Sequence, residues 1–285
     1  MHLRPWIALP AVVMAFLGRP PGRESVPAPQ EPAGPLELRL SPLAGSLHTL
    51  AARIGDADVP FLFDSGGGAT VVTPQVLERL GSEPFGRGTG FRHDGTRIDG
   101  RRGGPVALAL GAFRYQGEVG VMDLDTLLQG LPKVGGIVSL HTFAGQAITL
   151  DLAGGRLHVE TAASLVERTR GSRQLEARLA RPAAGAGLDL FVAIAGKHGP
   201  QWFELDCGNT GPVLVAPHAW GELGLPVAAP PAAVRAELDV RGLGRVACDI
   251  AAKEMIYDGV LNAAFCERHV LTLDLRTGCA WARSK

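Results

Sequence analysis

The sequence predicts an all-β protein built from two copies of one unit, and three observations support this. Glycine (38) and proline (21) are so frequent among the 285 residues that long helices have little room, which favours short strands joined by turns. Short segments that are apolar, or that alternate apolar and polar residues, recur along the chain, as half-buried strands require. Four segments of the first half reappear in the same order in the second half, which indicates an internal duplication.

The composition is that of a folded protein without a dominant charge. The residues are 46% hydrophobic and 20% charged, which is typical of globular proteins and excludes an intrinsically disordered chain. Lysine plus arginine and aspartate plus glutamate both number 28, so no net field would attract the chain to nucleic acid. We therefore expect no nucleic-acid partner.

The first 35 residues are expected to lie outside the fold. Residues 1–18 contain the apolar run Pro5–Leu17, which has the length of a signal peptide and is short for a bilayer span. This run predicts a signal peptide or an N-terminal membrane anchor, and hence an exported protein, periplasmic or secreted. A buried first strand or helix is the alternative. Residues 19–35 are rich in proline and predict a linker.

The four repeated segments define the two copies. The matches are Leu36–Leu40 (LELRL) with Leu175–Leu179 (LEARL), Phe61–Gly66 (FLFDSG) with Phe203–Gly208 (FELDCG), Gly136–Val138 (GIV) with Gly259–Leu261 (GVL), and Thr149–Leu152 with Thr272–Leu275 (both TLDL). We assign an N-terminal lobe to residues 36–160, an inter-lobe linker to 161–173 and a C-terminal lobe to 174–283.

Local patterns predict hairpins and two short helices. The hairpins have glycine in their turns, and lie at residues 147–159, with Gly154-Gly155 as the turn, and at residues 270–282, with Thr277-Gly278 as the turn. The helices are expected where proline stands in the first turn, at Pro74–Leu80 and Pro217–Leu223.

The first copy contains an insertion that the second copy lacks. In the first copy, 72 positions separate Asp64 from Gly136. In the second copy, 53 positions separate Asp206 from Gly259, so the first copy holds 19 extra residues. They fall at about 86–104, a polar, glycine-rich segment with Asp94-Gly95 as a hairpin turn signal. Such a hairpin is typical of a flap that covers a cleft, and an ordinary long surface loop is the alternative.

Each copy places one aspartate at the end of an apolar strand and close to a glycine. Asp64 follows FLF and Asp206 follows FEL, and Gly66 and Gly208 allow the chain to turn sharply there. Two copies related by a pseudo-twofold axis would bring the carboxyl groups together, where they would share one proton because adjacent negative charges repel. Such a pair can activate a water and protonate an amide leaving group.

These motifs resemble those of the aspartic proteases, both retropepsin-like and pepsin-like. The resemblance rests on DSG in the first copy, DxG in the second and the Gly-apolar-apolar stretch downstream of each, and it spans nearly all of Leu36–Trp281. It implies two pseudo-twofold-related, β-barrel-like lobes in one monomeric chain. It also implies an aspartic endopeptidase with Asp64 and Asp206 as the catalytic pair, the insertion as the flap, and a peptide or protein substrate.

The resemblance implies further roles around the pair. The residues that would support the catalytic loops are Ser65, Gly66, Cys207 and Gly208, with Ser65 and Cys207 bracing one loop against the other. The residues that would contact substrate are Gly67, Asn209 and Thr210, although Asn209-Thr210-Gly211 also fits a simple turn. No cofactor is implied.

The chain departs from the family pattern in three places, one of which is Gly67-Gly68, where alanine or serine is more usual and a more flexible loop is expected. Cys207 stands where a hydroxyl residue is usual, and a thiol is the weaker hydrogen-bonding group. Ser139 and Asn262 stand where glycine usually closes the downstream stretch, so crowding of the catalytic loops is expected. The alternative to an active protease is therefore an inactive module of the same fold that binds extended peptides in the cleft at the cell envelope.

The cysteines and histidines do not indicate a metal site. No CxxC or Cys/His spacing typical of metal binding is present, so we expect no metal. The four cysteines all lie in the last third of the chain and allow three full disulfide connectivities, which leaves their pairing open.

Overall fold

The computed structural model describes residues 34–125, 127–181, 187–225 and 233–285. The predicted signal peptide or anchor at 1–18, and all of the predicted linker except its last two residues, lie outside the described residues. Within the described part, no helix is both long enough and apolar enough to cross a membrane.

The N-terminal lobe is an eight-stranded sheet. Its strands, numbered in chain order and given in the order in which they pair, are β2 (Ser41–Ala44), β3 (Leu47–Ile54), β4 (Ala57–Phe63), β9 (Gly136–Val138), β5 (Val71–Val72), β8 (Phe113–Val121), β7 (Arg97–Leu110) and β6 (Phe85–Phe91). Strand β3 also pairs with β7, which closes the sheet on itself. Phe61, Leu108 and Leu110 are completely buried in its core.

The C-terminal lobe is a seven-stranded sheet of the same design. Its strands, in the order in which they pair, are β13 (Ala177–Ala180), β14 (Asp189–Ala195), β15 (Pro200–Leu205), β19 (Gly259–Leu261), β16 (Val213–Val215), β18 (Gly244–Ala252) and β17 (Val234–Val240). A second pairing of β14 with β17 closes this sheet. The order matches that of the N-terminal lobe strand for strand as far as β7, and β6 is the additional strand.

A third sheet joins the two copies. Its six strands, in the order in which they pair, are β1 (Leu36–Arg39), β11 (Arg156–Glu160), β10 (Ala147–Asp151), β20 (His269–Asp274), β21 (Cys279–Ser284) and β12 (Arg173–Leu175). Strands β10 and β20 carry the two TLDL repeats, and Thr149 lies directly opposite Thr272 with their hydroxyl oxygens 3.1 Å apart. Because equivalent residues face each other there, the pseudo-twofold axis passes between them. The predicted all-β, duplicated fold is confirmed.

The helices in the described part are few and short: α1 (Pro74–Arg79), the 3₁₀ helix Leu140–Phe143, α2 (Ala162–Thr169), α3 (Pro217–Trp220) and α4 (Ala263–Arg268). Helices α1 and α3 begin at the two predicted prolines. Helix α2 occupies most of the segment predicted as a linker, and its start is fixed by a capping box in which Thr161 and Ser164 bond each other's backbone.

The predicted hairpins are present with glycine at their turns. The β10–β11 turn contains Gly155 at φ +64°, and the β20–β21 turn contains Gly278 at φ +80°. Both angles lie in the left-handed region, which glycine adopts without a side-chain clash. The insertion forms the hairpin of β6 and β7, and Gly95 at its tip also has φ +80°.

Candidate active site

Asp64 and Asp206 follow equivalent strands of the two lobes. Strand β4 pairs in parallel with β9, and the Asp64 amide donates to the Val138 carbonyl at 3.0 Å. Strand β15 pairs in parallel with β19, and the Asp206 amide donates to the Leu261 carbonyl at 3.1 Å. The buried GIV and GVL strands therefore hold the two aspartates at corresponding positions.

The two carboxyl groups meet between the lobes. Each is faced by the glycine of the other loop, and each shifts the pKa of the other. A Cβ atom added at Gly66 would lie 2.6 Å from Cγ of Asp206, and one at Gly208 would lie 2.7 Å from Cγ of Asp64. No side chain can be placed at either glycine unless the carboxyl groups move.

Backbone amides and burial make the two carboxyl groups unequal. Gly66 N–H donates to Oδ1 of Asp64 at 3.0 Å, and Gly208 N–H donates to Oδ1 of Asp206 at 2.7 Å. Burial raises the pKa of Asp64, while the hydrogen bond from Asp206 opposes that rise. Burial, followed by the negative charge of Asp64, raises the pKa of Asp206 well above its usual value. The pair therefore favours one proton shared between the two carboxyl groups.

Ser65 and Cys207 join the two loops behind the carboxyl groups. Cys207 N–H donates to Oγ of Ser65 at 2.9 Å, and that hydroxyl donates to the Leu205 carbonyl at 2.7 Å. In the reciprocal arrangement, Ser65 N–H donates to Sγ of Cys207 at 3.3 Å, and the thiol donates to the Phe63 carbonyl at 3.7 Å. The thiol thus makes the same two contacts as the serine hydroxyl, at the longer distances that sulfur requires.

The crowding expected at Ser139 and Asn262 is not found. Oγ of Ser139 accepts from the His141 amide at the start of the 3₁₀ helix and donates to the Gly68 carbonyl at 3.0 Å. Oδ1 of Asn262 accepts from an amide in the first turn of α4, and Nδ2 donates to the Gly211 carbonyl at 2.7 Å. Each side chain caps a helix and also holds the loop that carries the aspartate of its own lobe.

The three residues predicted to contact substrate lie in the two loops. Gly67 N–H donates to the Asp64 carbonyl at 3.2 Å, within the turn. The Asn209 side chain uses both polar ends in its own turn, donating to the Pro212 carbonyl and accepting from the amide two residues ahead. Thr210 is exposed. Their contacts with substrate remain predictions.

The β6–β7 hairpin reaches from the N-terminal lobe to the C-terminal lobe. Ile256 N–H donates to the His93 carbonyl at 2.8 Å, and Nζ of Lys253 lies 2.9 Å from Nε2 of His93. The residues contacted belong to the loop that follows β18. The tip of the hairpin is therefore docked, and its action as a flap remains a prediction.

Two acids beside the pair, one buried and one half-buried, were missed at the level of sequence. Glu204 lies two residues before Asp206 and is 4% exposed. Asp189 begins β14, and its Oδ1 is buried without a hydrogen-bond partner in the described part of the chain. Burial raises the pKa of Asp189 to about 7 and that of Glu204 well above its usual value. The two aspartates of the pair are 142 positions apart in the chain. At the same offset, Asp189 corresponds to Leu47 and Glu204 to Leu62, and this difference between the copies is visible in the sequence.

All four cysteines lie within the described residues and carry free thiols. Among the described residues, no group of three or more His, Cys, Asp or Glu side chains is arranged to hold a metal ion.

Comparison with known proteins identifies the fold. A family model described as aspartyl protease matches residues 50–132, which include Asp64 and the β6–β7 hairpin. No curated protein matches the chain. Similar solved structures include basic 7S globulin from soybean (12% identity over 89% of this chain and 96% of that chain, TM-score 0.55), conglutin gamma, a basic 7S globulin from lupine seeds (11%, 88% and 95%, 0.56), and an aspartic proteinase from Irpex lacteus (11%, 88% and 97%, 0.54). At these identities the likeness shows the fold alone.

Proposed function

We propose that this chain, whose fold is that of the aspartic proteases, is an aspartic endopeptidase that needs no cofactor. The observation that carries the proposal is the facing geometry of the Asp64 and Asp206 carboxyl groups, each set against the glycine of the other loop. The fold itself does not need this pair, and two adjacent buried acids destabilise a protein unless they are compensated. The aspartyl protease match over residues 50–132 supports a protease-type function.

In this proposal Asp64 is the ionised member of the pair and Asp206 the protonated one. Ionised Asp64 accepts a proton from a water as the water oxygen attacks the peptide carbonyl carbon, while Asp206 gives its proton to the carbonyl oxygen. The tetrahedral diol that results carries no net charge. Asp64 then passes its proton to the amide nitrogen, the C–N bond breaks, and one diol hydroxyl returns a proton to Asp206. The products are a carboxylic acid and an amine, and no bond to the protein forms.

The proposal includes export of the protein. The apolar run Pro5–Leu17 supports a periplasmic or secreted location, with attachment to the membrane if this run is retained as an anchor. The two lobes supply one aspartate each, so a single chain contains a whole site and the protein would act as a monomer.

A peptide-library cleavage assay from pH 3 to pH 8 tests the proposal. Asp64→Asn and Asp206→Asn keep the size of each side chain and remove its acid–base function, so each should lower cleavage by at least about a hundredfold. Asp249→Asn, an exposed carboxylate on β18, is the matched control and should cleave as the wild type does. Near-normal cleavage by either dyad variant would overturn the assignment.

The inactive peptide-binding module is the second candidate. The similar structures named above include two described as globulins and one described as a proteinase, so the fold does not decide activity. If the wild type cleaves nothing in the library but binds extended peptides, with an affinity that Asp64→Asn leaves unchanged, this second function is correct.

A further inference from the structure

The two sides of the candidate site differ in chemistry although they share a backbone design. Leu47 begins β3 and Asp189 begins β14, at equivalent positions of the two copies. Leu62 and Glu204 likewise stand two residues before the aspartates of the pair. The same strands thus present two leucines beside Asp64 and two acids beside Asp206.

The strand geometry directs these side chains toward the pair. Side chains two apart on a strand point to the same face, so Glu204 shares a face with Asp206. The β14–β15 register sets Phe191 opposite Glu204, and its continuation sets Asp189 opposite Asp206. Asp189 also adjoins the other loop, since a Cβ atom at Gly68 would lie 3.6 Å from Oδ1 of Asp189.

The leucine side is a closed apolar surface. Leu47 and Leu62 are 8% and 3% exposed and pack in one small cluster, separate from the main core. The other buried members of this cluster are Val71, Leu124, Val134 and Ile137. The two positions that carry acids in the C-terminal lobe are therefore apolar in the N-terminal lobe.

The acid side is largely buried and is uncompensated. Glu204 is 4% exposed, Oδ1 of Asp189 has no hydrogen-bond partner, and neither carboxyl has an ion-pair partner in the described part of the chain. Burying two acids without a cation costs several kcal/mol, whereas two leucines at the equivalent positions pack without such a cost. An arrangement of this kind is stabilised when a bound ligand supplies the missing cation.

We propose that Asp189 and Glu204 form a subsite for a basic side chain, lysine or arginine, at one residue flanking the scissile bond, with an apolar residue on the other side. This inference rests on the proposed protease function. Lysine and arginine side chains carry hydrogen-bond donors and no acceptors, which matches the four carboxyl oxygens of the two acids. Charge-assisted bonds in a buried site are stronger than bonds between neutral groups.

Two matched probes test this subsite. The first is a peptide set that differs only in lysine or its uncharged analogue norleucine at the residues flanking the cleaved bond. The second is a pair of the same lysine and norleucine peptides in which the scissile amide bond is reduced and cannot be cleaved. Their binding is measured by calorimetry at pH 7.5. We expect the wild type to prefer lysine over norleucine at one flanking position by tenfold or more. The variant Asp189→Leu/Glu204→Leu, which copies the first lobe, should bring this ratio close to one, and circular dichroism checks its fold.

The two probes separate failure of the subsite from failure of the protease assignment. Cleavage without a preference for lysine, or a preference that survives in the double-leucine variant, overturns the subsite and keeps the protease. Lysine-selective binding without cleavage, lost in that variant, keeps the subsite and overturns the protease. Asp189→Asn/Glu204→Gln, which keeps the polar side chains, should lose the same preference if charge is the cause.

Discussion

Ser65 and Cys207 are bonded to each other twice, since the backbone amide of each donates to the side chain of the other. Each of these side chains also donates to a carbonyl of the opposite strand, so four hydrogen bonds cross between the lobes at this point. All four lie in the buried interior. The spacing of the two aspartates therefore depends on a thiol as much as on a hydroxyl.

The first prediction concerns this thiol. Cys207→Ala leaves the buried Ser65 amide without an acceptor, which should lower the free energy of unfolding by about 1–3 kcal/mol and reduce cleavage. Cys207→Ser should keep the wild-type free energy of unfolding and cleavage, with shorter contacts to the Ser65 amide and the Phe63 carbonyl. Urea unfolding and peptide cleavage measure the two effects, with Cys279→Ala as the cysteine control. A Cys207→Ala protein as stable as the wild type would show that the thiol contacts contribute nothing.

The second prediction concerns the glycines that face the carboxyl groups. Gly66→Ala and Gly208→Ala place a methyl group 2.6–2.7 Å from Cγ of the opposite aspartate, so the pair must separate. A displacement of about 1 Å at a catalytic group can cost about a hundredfold in rate, which is the loss expected in cleavage. Gly221→Ala has open space around it and a helical φ of −67°, and should leave activity unchanged. Full activity in either site variant would contradict the facing geometry.

The duplication made the fold and the pair of aspartates predictable. FLFDSG and FELDCG share an offset, and the strands that carry GIV and GVL pair with them in parallel at the same positions in both lobes. A repeated motif specifies a repeated backbone, so the position of Asp206 followed from that of Asp64. The helices with proline in the first turn were predictable for a local reason, because proline fixes φ there.

Contacts between distant segments were not predictable in the same way. The docking of His93 on Ile256 joins residues far apart in the chain, and no repeat or local pattern signals it. The sequence did not indicate the helix-capping roles of Ser139 and Asn262, because glycine is usual at both positions in the aspartic proteases that the motifs resemble. The acid side of the site required the strand register, since Asp189 and Asp206 become neighbours only when β14 and β15 pair.

The third prediction concerns the docked hairpin. Burial and then the positive charge of Lys253 lower the pKa of His93, so docking favours the neutral imidazole. The negative charge of Asp94 raises this pKa, and the positive charge of Arg92 lowers it further. A group with a lowered pKa supports docking above its usual pKa of 6.5 and loses that support as the pH falls. Once exchange rates are divided by the intrinsic rate at each pH, amides of the β6–β7 hairpin should therefore be less protected at pH 5 than at pH 7.5.

Lys253→Ala provides the matching test of the hairpin contact. It removes the ammonium group 2.9 Å from the imidazole and should speed exchange in the hairpin at pH 7.5. Lys133→Ala, an exposed lysine, is the control. Protection relative to the intrinsic rate that depends on neither pH nor Lys253 would show that the His93 side chain does not hold the hairpin, and that only its backbone contact does.

The fourth prediction is that Asp189 makes the protein less stable at neutral pH than in acid. The pKa of its carboxyl is raised by burial from 3.8 to about 7, so the folded state keeps a proton that the unfolded state releases. Below pH 3.8 both states are protonated and the carboxyl costs nothing. As the pH rises to 7 the cost grows to at most about 4 kcal/mol.

Asp189→Asn should therefore be more stable than the wild type at pH 8 and equal to it at pH 3.5, as measured by urea unfolding. Asp249→Asn, exposed on β18, should follow the wild type at both pH values. If the Asp189→Asn and wild-type curves coincide at pH 8, the carboxyl has a charge partner or access to water, and the uncompensated acid subsite loses its physical basis.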